Sequence, residues 1–176
     1  KESLLAARDL ALEFKAPLLI HVSETKDEQK QIAEKYGTTP AKWLESSGFL
    51  GPNVLAAHGV WLDADDMRLF AERRVGLAHN PESNMKLASG AAPVVAARKA
   101  GISVGLGTDG VAGSNNDLDM WEAMDFAGKL AKVSTMDPTA LPAKDLLRMA
   151  TIEGARAMKL DDRIGSAQGD IERARH

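Results

Sequence analysis

Residues 54–60 read Val54-Leu55-Ala56-Ala57-His58-Gly59-Val60, an unbroken apolar run closed by a histidine and a glycine. An alternating run would predict a strand with one wet face. An unbroken one predicts a strand covered on both faces, as in parallel sheets. The same signature occurs three more times, in Pro17-Leu18-Leu19-Ile20-His21-Val22, in Val75-Gly76-Leu77-Ala78-His79-Asn80 and in Ile102-Ser103-Val104-Gly105-Leu106-Gly107-Thr108-Asp109-Gly110. Between these runs the periodicity changes from continuous to helical. Before the first run lies residues 2–15, with Leu4, Leu5, Ala7, Ala11, Leu12 and Phe14 on one stripe, ended by Lys15-Ala16-Pro17. Helices are predicted over 26–36, 40–46, 62–74, 91–100, 118–133, 143–149 and 151–159. The helix over 62–74 has an acidic first turn and a basic last turn, matched to the helix dipole. Strands alternating with helices predict βαβ units and a parallel α/β sheet.

The chain has 176 residues, 44% hydrophobic and 27% charged, which suits one globular domain and is too apolar for disorder. Its net charge of -3 argues against nucleic acid or an anionic membrane as partner, since both select basic surfaces. No apolar run reaches the ~18 residues of a membrane span. There is no cysteine, which excludes a disulfide scaffold, thiolate metal ligands and a Cys nucleophile. That absence fits a reducing cytosol, and no signal peptide is visible, so a cytoplasmic protein is expected. A complete (β/α)8 barrel takes ~250 residues and seldom fewer than ~200, more than are present.

Four histidines occur, and His21, His58 and His79 each end a predicted strand, as Asp109 ends the fourth. The carboxyl ends of parallel strands form the functional rim of α/β folds. A lone His there is often a hydrogen-bonded structural residue, and Asp109 in Gly-Thr-Asp-Gly can cap a turn. Four successive strands ending in His, His, His and Asp instead predict one shared cavity. His and Asp suit Zn2+ or Fe2+. Glu24, three residues after His21, is placed either to lean over that cavity as a general acid/base or to start the next helix from the surface. Residues 80–85 read as a rigid polar loop that contacts substrate or merely turns. Residues 114–116 read as a pocket wall or as a cap for the following helix. Met120, Met124 and Ala127 read as core. No GxGxxG, P-loop or GxSxG is present.

Five motifs then arrive in one order: IHVSET (20–25), AAHGVWL (56–62), LAHNPESNMKLASG (77–90), VGLGTDG (104–110) and SNNDLDM (114–120). Together they resemble the C-terminal half of the amidohydrolase superfamily barrel over about residues 3–166, nearest the 5'-methylthioadenosine/S-adenosylhomocysteine deaminases, with chlorotriazine hydrolases and guanine-deaminase-like enzymes as related branches. The resemblance implies half of a TIM-type barrel, strands five to eight, with C-terminal helices over residues 1–166 and a divergent polar tail over 167–176. It implies that His21 and Asp109 bind the metal, Zn2+ or Fe2+. Glu24 would shuttle protons, His58 would polarise the leaving group or steady the attacked centre, and Asp109 would also accept a proton from metal-bound water. His79, Ser83 and Asn84 would line the substrate pocket. The implied reaction is hydrolytic deamination of a purine-like or triazine ring, a small-molecule substrate.

The departures from the family pattern are equally specific. The His-x-His metal pair of the first barrel strand is absent from the chain, as are strands one to four and the small β-sandwich. Two ligands fall short of the usual three-ligand catalytic zinc site. Alone, the chain is expected to bind metal weakly and turn over slowly or not at all. A four-stranded open sheet also leaves exposed edges, so a homo-oligomer of half-barrels or a complementary chain is expected to cover them. The competing readings are a catalytically inert half-barrel that self-associates and a metal-free small-molecule binding domain.

Overall fold

The computed structural model describes residues 2–166. The predicted tail over 167–176 lies outside the described residues. The elements run α1 (Glu2–Glu13), β1 (Leu18–Val22), α2 (Lys26–Tyr36), α3 (Pro40–Ser46), β2 (Val54–His58), α4 (Ala64–Arg73), β3 (Gly76–His79), α5 (Pro81–Lys86), α6 (Val94–Lys99), β4 (Val104–Leu106), α7 (Met120–Thr135), α8 (Ala143–Ala150) and α9 (Ile152–Ala157). The four strands form one sheet in the order β1-β2-β3-β4, with every neighbouring pair parallel. This is the α/β arrangement of half a TIM-type barrel.

Local chemistry explains the element boundaries. Thr25 and Thr39 cap α2 and α3 by accepting from Glu28 N and Lys42 N, and Gly37 closes α2 at φ 68°, a conformation that costs glycine little. Asp63 and Asp66 form a reciprocal capping box at the start of α4. The core lies between β2–β4 and the helices, built on Val54, Ala56, Phe70, Leu77, Val104 and Met149. Helix α9 approaches β4 closely because both sides are glycine. A Cβ on Gly105 would stand 2.7 Å from Gly154 Cα.

Three expectations change. The fourth strand ends at Leu106 rather than continuing to 110, because the chain leaves the sheet after Gly107 N donates to His79 O, and Asp109 turns at φ 61°. Residues 81–86 form a short helix rather than a loop, started by Pro81, whose fixed φ suits a first turn. The first run is not covered on both faces: β1 alternates half-buried and exposed residues up to the buried Val22, with Leu19 63% exposed, and on α1 Leu10, Leu12 and Phe14 stand 57%, 55% and 70% exposed, Ala11 being its one buried residue. Nothing among the described residues packs over them. Among the described residues, no helix is long and apolar enough to cross a membrane.

Candidate active site

Parallel register brings the carboxyl ends of the strands side by side. His21 pairs with Ala57, Val22 with His58, and His79 with Leu106. The His21 and His58 rings stack with centroids 5.1 Å apart. His58 is 1% exposed, and its Nε2 lies 3.8 Å from Glu24 Oε2 and 3.8 Å from Asp109 Oδ2. His21, His58 and Asp109 each offer one ligand atom, all within 4.8 Å of one another. Of the residues predicted from sequence, the strand-end His21, His58 and Asp109 therefore meet in one space with Glu24, and His79 is not among the grouped ligand atoms. Ser23, His58 and Asp109 all hold positive φ, at 55°, 73° and 61°. Non-glycine residues in that region cost of order 1–3 kcal/mol each and concentrate at functional sites.

The hydrogen bonds behind this rim fix what it presents. His58 Nδ1 lies 2.9 Å from Asn84 Oδ1. An amide oxygen only accepts, so a ring with its hydrogen on Nδ1 satisfies this contact and turns the lone pair at Nε2 toward the two carboxylates. That Nε2 is buried without a hydrogen-bond partner. An imidazole lone pair facing two carboxylates, with a second imidazole stacked alongside, is the donor set of a divalent cation such as Zn2+. Asp109 is held at both oxygens: Ser83 Oγ donates to Oδ2 at 2.7 Å and Gly110 N to Oδ1 at 2.8 Å. Burial pushes the Asp109 carboxyl up, but these bonds and the nearby His58 and His21 outweigh it and hold the group below the usual carboxylate range.

His79 ends β3 and is buried. Burial first, and then the neighbouring His58, pull its pKa down to about 4, so it is neutral at pH 7. Its Nδ1 has no partner. Ser83 and Asn84, expected to line a pocket, are withdrawn from the surface, with Asn84 0% exposed, and their hydrogen bonds run to Asp109 and His58. Asn115 is likewise buried, tying Thr108 O and Glu82 together. The cap of α7 is Asp119 instead.

Sequence reasoning missed Glu28. Its carboxylate accepts from Ser23 N at 2.9 Å and Glu24 N at 2.7 Å, clamping the loop that carries Glu24. The signal was available: Thr25-Lys26-Asp27-Glu28 matches the capping-box pattern, in which the fourth residue reaches back to backbone N–H groups.

Comparisons with known proteins agree with this geometry. The profile of the amidohydrolase family matches residues 1–168. The 5-methylthioadenosine/S-adenosylhomocysteine deaminase of Syntrophobacter fumaroxidans is 52% identical over 157 residues, which are 89% of this chain and 36% of that protein. The 5'-deoxyadenosine deaminase of Methanococcoides burtonii is 49% identical over 164 residues, 93% of this chain and 38% of that protein. The chain thus spans little more than a third of the length of these curated relatives. Among solved structures, an adenosine deaminase from Xanthomonas campestris with bound zinc superposes with a TM-score of 0.88 at 42% identity, covering 93% of this chain and 37% of that one. Atrazine chlorohydrolase from Arthrobacter aurescens, complexed with zinc, gives 0.79 at 29% identity, covering 93% and 36%. On the matched profile, the relatives and the folded rim together, the chain belongs to the amidohydrolase family.

Proposed function

We propose that the chain carries the strand-five-to-eight half of a metal-dependent aminohydrolase site, serving the hydrolytic deamination of an adenosine-like or triazine ring. The observation that carries this reading is the buried, unpartnered Nε2 of His58, 3.8 Å from both Glu24 and Asp109. The deaminase names of the relatives support the reaction class, and the zinc in two neighbours supports Zn2+ over Fe2+.

In this reading His21 and Asp109 hold the ion, and His58 Nε2 offers its lone pair to the ion or to an O–H of the attacking water. The ion, when bound, acidifies water and polarises the attacked centre. Glu24 takes the proton that the water gives up and delivers it to the departing amine nitrogen. The C–O bond forms as the amidine C=N opens, the C–N bond to that amine then breaks, and the second proton of the water ends on the ring nitrogen, so an amidine plus water becomes a ring amide and ammonia. His79, neutral beside the site, adds no positive charge to compete with the cation.

The test is a calorimetric Zn2+ titration of the metal-stripped chain. One saturable site is expected, lost in His21→Ala and in Asp109→Asn; parent-like binding by both variants overturns the metal site. Ammonia release is then followed with 5'-methylthioadenosine and a chlorotriazine, the other barrel half being supplied as a separate polypeptide with a His-x-His pair. Zn2+-loaded assemblies that release no ammonia from either overturn the deaminase reading. A second reading, a half-barrel that self-associates, is favoured by the exposed Leu10, Leu12, Phe14 and Leu19. Equilibrium sedimentation decides it: a dimer is expected, and a stable monomer overturns it.

A further inference from the structure

Two consecutive residues on a helix point about 100° apart, so one short turn can serve two targets. Helix α5 does this with Ser83 and Asn84. Ser83 reaches forward to Asp109 and Asn84 reaches back to His58, and each partner is 26 residues away in the chain. Both side chains are buried, so neither is a surface turn residue. Asn84 also keeps its own Nδ2 buried and unpartnered.

We infer that Ser83 and Asn84 are positioning residues: Asn84 locks His58 in the Nδ1–H tautomer, and Ser83 locks the rotamer of Asp109, so that Nε2 and Oδ2 face one shared point. This deepens the metal-site reading above and rests on it for its consequence. Ligands whose far side is hydrogen-bonded keep their tautomer and aim, and losing such a bond commonly lowers metal affinity about 10–100-fold. Asn84 bonds the far nitrogen of His58, whereas Ser83 bonds Oδ2, the same Asp109 oxygen that stands 3.8 Å from His58 Nε2.

Long-range 1H–15N correlation of the histidine rings in the metal-free chain tests the tautomer directly. His58 is expected to carry its hydrogen on Nδ1, with Nε2 showing the shift of an unprotonated ring nitrogen. Asn84→Leu is expected to remove that signature and to weaken Zn2+ about 10–100-fold. Asn84→Asp, which restores an acceptor, is expected to recover both. Ser83→Ala is expected to weaken Zn2+ and Ser83→Thr to recover it. A parent ring protonated at Nε2 overturns the inference without any variant. So does Asn84→Leu with the parental ring signature and parental Zn2+ affinity. Should the parent chain take up no Zn2+, the metal reading fails, and the ring signature still decides the tautomer lock.

Discussion

The middle of the sheet and its first edge are built from the same kinds of residue and finished differently. In β2 the burial is nearly complete, and α4, α8 and α9 close over β2–β4 through Phe70, Met149 and the glycine contact at Gly105. In β1 alternate residues stay open, and the α1 stripe lies alongside without a cover. Apolar sequence alone therefore does not make core. A run of leucines is buried only where a neighbouring unit supplies the opposing surface. The polar rim follows the same division, since His58 and His79 at the ends of β2 and β3 are buried, whereas His21 on β1 is exposed.

Substitution at the two places should separate them sharply. Phe70→Ala opens a fully buried site and is expected to cost about 3–5 kcal/mol in urea unfolding, whereas Leu19→Ala at the open edge should stay within about 0.5 kcal/mol. Equal losses would break the comparison. The buried histidine of the middle gives the next effect. With its pKa at about 4 in the fold and 6.5 in the unfolded chain, His79 leaves the unfolded state binding the extra proton between those values. Stability is then complete above pH 6.5 and falls as pH drops toward 4, by about 3 kcal/mol for the metal-free protein. His79→Asn should flatten that part of the curve, and an unchanged slope would refute it. Asp63→Ala, which dissolves the capping box of α4, should cost about 1 kcal/mol in the same assay.

Much of this was readable in advance, for physical reasons. Four continuous apolar runs announced four strands, of which β2, β3 and β4 are covered, and the helical periodicity over 26–36 and 40–46 placed α2 and α3. The convergence of His21 and His58 followed from strand-end position, and Asp109 joins them from three residues past the end of β4. Three things were not readable. Six residues of α5 are under two turns, too few for a helical period to declare itself. The run 102–110 keeps a strand-like composition past Leu106, and its departure is set by a bond to His79 and a left-handed turn at Asp109. The partners of Ser83 and Asn84 lie far off in sequence, so their chemistry appears only once the chain is folded.

The strand order has a consequence for how the molecule assembles. Each strand pairs with the next one made, and the shortest closure, Leu55 to Gly76, joins β2 to β3. Loop-closure entropy favours that pair as the seed, with β1 and β4 added on either flank. Yet the rim takes His21 from the first unit, His58 from the second and Asp109 from the last. An intermediate of two or three units can be compact and still hold no complete donor set. The three side chains first converge only when the last strand docks, so at the metal site proposed above Zn2+ uptake would report the completion of the sheet.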